Sequence, residues 1–185
     1  MKRTVAVTAC VLGVAAGAAV LAHKSAAPAA ASASGSAFTE IKWPFLMDQW
    51  GLGRAFHCAA AACGADVEVY VRAKIGFCNC TTGVSDDNEL DRLTDFSLMG
   101  EKPNVLGPGH PIDIAWMKGR IRSYAISNFY RPPNSALAIA FNDHCDAVVA
   151  TVVVPRDSPA AIEPSVVAFL NSKTIINWTE VALGL

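Results

Sequence analysis

Strand-forming runs in the second half of the chain come in pairs separated by only a few residues, and this constrains the fold more than any other feature. Ile112–Met117 and Arg120–Ser127 flank Lys118-Gly119; Ala136–Phe141 and the Val-rich Ala147–Val154 flank Asn142–Asp146. Connections this short suit hairpins and cannot carry a crossover helix. Upstream, Val67, Val69 and Val71 alternate with Glu68, Tyr70 and Arg72, the period-2 pattern of a half-buried strand. Helical signals lie elsewhere. A short helix is expected around Phe45–Trp50, ending at Gly51 and Gly53. Another is expected over Asp86–Phe96, where Asp86 and Asp87 supply a cap and an acidic first turn. Pro164 marks the start of a third, with Val166, Val167, Phe169 and Leu170 on one face; Asn171-Ser172 caps a last one bearing Ile175, Ile176, Trp178 and Val181. Between Pro103 and Pro111 the prolines and glycines argue against regular structure. The expected class is α+β: an antiparallel sheet of about five strands with the C-terminal helices packed on one face. Parallel βαβ alternation is missing, which argues against a Rossmann-type nucleotide unit.

The first residues do not belong to that fold. Met1-Lys2-Arg3 is cationic, Thr4–Ala22 carries no charge, and Ser25–Ala37 is an Ala/Ser/Pro/Gly tract. This is the pattern of a secretory signal. The expected organisation is a signal peptide over residues 1–22, a flexible linker over 23–37 and a single disulfide-containing α+β domain over 38–185. Val20-Leu21-Ala22 fits a cleavage site, with Ala31-Ser32-Ala33 as a second. The alternative is an uncleaved anchor, since Thr4–Ala22 approaches the roughly 20 residues that span a bilayer. Either way the domain is expected in the periplasm of a Gram-negative-type cell or secreted, or anchored in the inner membrane and facing the periplasm. Val7-Thr8-Ala9-Cys10 has the look of a lipobox, but too little apolar chain precedes Cys10. Export without Lys2 and Arg3 leaves a net charge near about −3, too weak to call for nucleic acid or an anionic membrane as partner. Contact with a membrane would come only through the N-terminal segment.

Of six cysteines, Cys10 falls in the signal, leaving Cys58, Cys63, Cys78, Cys80 and Cys145 as disulfide candidates. Paired cysteines are the default in an oxidising compartment. A turn over Ala59–Ala62 would bring Cys58 to Cys63. Phe77-Cys78-Asn79-Cys80 offers two readings. Each cysteine can staple a different neighbour, one of them Cys145, or the tight Cys78-x-Cys80 pair can exchange electrons. A copper or zinc site built from Cys78, Cys80, His144 and Cys145 is a further alternative, although the spacing matches no standard zinc motif.

Other chemistry is weaker. Asp87, Asp91 and Asp95 lack calcium-loop spacing and read as a solvated helix stripe. Lys118, Arg120 and Arg122 read as the wet face of a hairpin. His110 sits in a proline-glycine loop, and no hydrolase, metalloprotease or phosphate-loop motif occurs. Trp43, Phe45, Trp50 and Phe56 read mainly as core-edge aromatics, with a peptide, glycan or lipid groove as the other option. The sequence therefore points to an exported binding or accessory protein of the envelope, with an envelope protein or small ligand as partner, no catalytic residues and no cofactor.

Overall fold

The computed structural model describes residues 37–77, 79–128, 131–155 and 159–185. The expected signal peptide, most of the linker and Cys78 lie outside the described residues.

All strand pairing is antiparallel, as the hairpins required. Eight strands form one sheet: β1 (Thr39–Ile41), β2 (Arg54–Cys58), β3 (Val67–Lys74), β4 (Lys102–Val105), β5 (His110–Ile114), β6 (Met117–Asn128), β7 (Arg131–Asp143) and β8 (Asp146–Val154). Their order is β1-β2-β3-β8-β7-β6-β4, with β5 also pairing along β6. The helices are α1 (Ala60–Cys63), α2 (Asp87–Leu93), α3 (Pro159–Leu170) and α4 (Lys173–Leu183), and a 3₁₀ turn covers Phe96–Met99.

Sheet alternation sorts the side chains onto two faces. On the first, Val67, Val69, Val71, Leu137, Ile139, Phe141, Val148, Ala150 and Val152 pack against Ile162, Val166, Phe169, Leu170 and Ile175 of α3 and α4. Each fully buried Val or Leu contributes about 1.5–3 kcal/mol over exposure. On the second face, β7 presents Ala136, Ala138 and Ala140, and β8 presents Ala147 and Val149. Such small residues let a second helix approach closely, and Leu90, Leu93 and Phe96 fill the space above them. The C-terminal helices thus cover one face, as expected, and α2 covers part of the other.

The sheet is larger than the five strands expected: β1, β2 and β4 are the additions, and the strand expected at Ile112–Met117 is β5, which begins at His110. β4 carries Pro103 and β5 carries Pro111. Both strands line the outer side of β6, where a residue without an N–H is tolerated because half its backbone has no partner to serve. The helix expected at Phe45–Trp50 does not form. Asp48 instead accepts the Trp50 amide at 2.9 Å and bridges to Gly51, a local turn that competes with helix. The β5–β6 turn is Ala115-Trp116, not Lys118-Gly119, because Ile114 pairs with Met117. Ala115 takes φ 51° there, while Gly119 sits inside β6 opposite Phe141. A Cβ at Gly119 would lie 2.4 Å from the Ala140 carbonyl oxygen, so the glycine serves close packing. Pro164 lies within α3, which begins at Pro159. Ser172 does occupy the N-cap of α4, but its hydroxyl makes no capping bond. Asp86 caps α2 through its carboxylate, which accepts the Glu89 amide at 2.8 Å.

Candidate functional site

The acidic stripe meets Arg120 and Arg122 of the basic hairpin instead of facing water, while Lys118 stays on the wet face beside Asp113. Arg120 donates to Asp87 and, at 2.9 Å, to the Gly109 carbonyl. Arg122 reaches Asp91 at 2.9 Å and the Gly107 carbonyl at 2.9 Å, and the Tyr124 hydroxyl donates to Asp91. Asp95, just past the end of α2, receives two bonds from Arg72 at 2.8 and 2.7 Å and lies 2.9 Å from Lys74 Nζ. Arg72 also donates to Asp48 at 2.6 Å, and Lys74 to the Leu93 carbonyl at 2.6 Å. Arg72 and Lys74 are only 3% and 5% exposed. Their two positive charges are balanced by Asp48 and Asp95, as buried charges must be. The Arg120 bond holds the Asp87 carboxyl below its ordinary range, and the Arg72 bond does the same for Asp48. Burial, reinforced by Asp91, pushes the Tyr124 phenol up. These contacts lock α2 to β6 and the 42–53 loop to β3. They are a clasp, since both signs are already satisfied.

Locking α2 over β6 and β7 leaves the second face open beside it. A cavity of about 380 Å³ is walled by Pro44 and Phe45 on one side and by Leu98, Met99 and Glu101 on the other. Its floor is Glu68, Tyr70, Asn134 and Val153. A second cavity of about 370 Å³ shares Glu68, Asn134 and Val153 and continues to His57, Asp66 and Pro155. Glu68 and Tyr70 reach this face because they are the outward members of the β3 alternation; Val153 lies across from Glu68 in the register. The Tyr70 hydroxyl donates to Glu68 at 2.7 Å, fixing the carboxylate. Phe45 meets Tyr70 edge-on at 4.9 Å, and Trp43 stands behind both at 5.3 and 6.1 Å. Beside this wall, Leu46 and Met47 are 89% and 72% exposed.

Among the described residues, the cysteines, His110 and His144 do not line this groove; His57 lies at the second cavity. Cys58 and Cys63 are disulfide-bonded across α1 with Cα atoms 6.0 Å apart. Cys80 is bonded to Cys145 in the β7–β8 turn. That bond takes two of the four proposed metal donors out of thiolate form and leaves Cys80 no sulfur for a Cys78-x-Cys80 pair. His144, 87% exposed, lies 3.1 Å from Asp143. Among the described residues no group of three or more His, Cys, Asp or Glu side chains is placed to hold a metal ion. His57 points away from buried Cys58, as strand alternation requires, and lies 3.3 Å from Asp66. His110 pairs with Glu163 at 2.8 Å. Of the front-end aromatics, Phe56 enters the core against Phe169, Trp50 packs against Phe77 at a tilt, and Phe45 lines the groove. Sequence reasoning missed Glu68, Tyr70, Leu98, Met99, Glu101 and Asn134. The sole signal was an aromatic beside an acid on the outward side of β3, and what covers that side depends on contacts distant in sequence.

No protein-family model and no curated protein matches the chain. Among solved structures, the solution structure of cyanobacterial PsbP from Synechocystis sp. PCC 6803 is similar over 74% of this chain and 90% of that one, at 8% identity and a TM-score of 0.39. At that score the likeness carries no argument about function. No described helix is long and apolar enough to cross a membrane.

Proposed function

We propose that residues 38–185 act outside the cytoplasm as a binding or accessory domain of the cell envelope, delivered by the N-terminal segment, with no chemistry of their own. The observation that carries the reading is the groove: a concave surface where Phe45, Tyr70, Leu98, Met99 and Val153 stand beside the polar groups of Glu68, Glu101 and Asn134. Its described lining contains no Ser, Thr, Cys or Lys. Both disulfides support the compartment, since such bonds persist where thiols are not kept reduced.

Two measurements test this. A reporter phosphatase that needs an oxidising compartment, fused after Leu185, is expected to be active; activity of a cytosolic reporter alone ends the proposal of export. A photo-crosslinker placed at Leu98, in the groove, is expected to give adducts in living cells. The same group at Val181, exposed on α4, is the control and should give none. Equal yields at both positions, or none at either, would remove the groove as a binding surface.

A further inference from the structure

We infer that the groove takes a segment of a partner polypeptide carrying a lysine or arginine side chain, seated between Glu68 and the rings of Phe45 and Tyr70; this rests on the binding role proposed above. Three observations lead there. First, a carboxylate stands in the floor of the groove. Glu68 lines both cavities, with Glu101 at the first and Asp66, paired with His57, at the second. Glu68 attracts a cation. Second, the donor set suits an extended cationic side chain. The Glu68 carboxylate, oriented by Tyr70, accepts a charge-assisted hydrogen bond. Neighbouring aromatic rings add cation–π attraction. Pro44, Leu98, Met99 and Val153 offer apolar surface to the methylenes of the stem. Third, the surface outgrows a small amine. The trough runs on into the second cavity, and Leu46 and Met47 form an exposed apolar lip directly after the wall residues Pro44 and Phe45. Large exposed hydrophobes beside a groove mark a macromolecular contact. Asp48, bonded to buried Arg72, pins the loop that carries the lip, so little ordering would be needed on docking.

The experiment uses the mature, disulfide-intact domain and short fluorescent peptides with apolar flanks around a central lysine, arginine, norleucine or glutamate, read by anisotropy. Lysine and arginine peptides are expected to bind at least about tenfold more tightly than the other two, with affinity falling as salt rises. Glu68→Gln should erase that preference while leaving the melting temperature unchanged. Leu46→Ser with Met47→Ser should weaken all four peptides together. If the peptides bind without regard to the central charge, the basic-segment inference fails while the binding role stands. If spermidine competes as well as any peptide binds, the site serves free amines and the polypeptide is wrong. If no peptide binds but Leu98 still crosslinks in cells, this inference fails alone; if neither happens, the binding role fails with it. Should Glu68→Gln not fold, the salt dependence and the norleucine comparison on the unaltered domain still decide.

Discussion

Asp95→Asn separates the two ends of the ionic clasp. Asparagine keeps the shape and one acceptor oxygen, but the negative charge disappears from a site only 11% exposed. Arg72 and Lys74, at 3% and 5% exposure, then carry two buried positive charges against Asp48 alone. Removing one partner from a buried ion pair costs about 3–5 kcal/mol. For a domain of this size each kcal/mol lowers the melting temperature by about 2–4 °C, giving a fall of roughly 6–20 °C. Asp91→Asn is the internal comparison. It stands one turn earlier on the same stripe, is 40% exposed, and should cost about 1 kcal/mol or less. Urea unfolding followed by circular dichroism, with equal m-values required, measures both. Equal losses at the two positions, or a loss at Asp95 below about 1 kcal/mol, would refute the account of burial as the deciding factor.

The two disulfides should differ in worth, because cross-link stabilisation grows with the loop closed. Opening Cys80–Cys145, at a sequence separation of 65, should cost about 4 kcal/mol, and opening Cys58–Cys63, at a separation of 5, about 2; chemical denaturation of the serine variants checks the order, and a reversal contradicts it. Acid should destabilise the fold. The Asp87 carboxyl is held low by Arg120, so the unfolded chain binds its proton first; its contribution is complete above the unfolded value near about pH 4 and is lost as pH falls below it. Asp87→Asn should flatten that part of the stability–pH curve, and an unaltered slope would show that the contact contributes nothing. Gly119→Ala should cost about 1–3 kcal/mol through overpacking against Ala140 and Phe141, and an unchanged urea midpoint would mean that β6 and β7 part freely.

How much was legible follows the range of the forces involved. The Val67–Val71 alternation and the two hairpins are local patterns, and both led to the right sheet type. The Asp86 cap is local too. β4 was hidden because Pro103, a residue that usually stops a strand, is harmless at an unpaired edge, and β1 and β2 are runs of three and five residues too short to show a period. The clasp was hidden for a different reason. Asp87, Asp91 and Asp95 repeat at helical spacing and Arg120 and Arg122 at strand spacing, each suiting water equally well, and only the tertiary fold brings one against the other. The groove is the negative of that contact: it is where α2 does not reach, which no local pattern encodes.

The place of β3 in the sheet has a bearing on how the chain is made. Among the described residues β1, β2 and β3 connect to the remaining strands solely through β8, whose last residue is Val154, and the apolar side of β3 is roofed by helices later still. A nascent chain therefore holds a small fragment with one greasy flank until β8 has left the ribosome, and pairings so distant along the sequence close slowly. Under the export proposed above that delay is an advantage, since the pairing that would jam a chain in a narrow pore comes last.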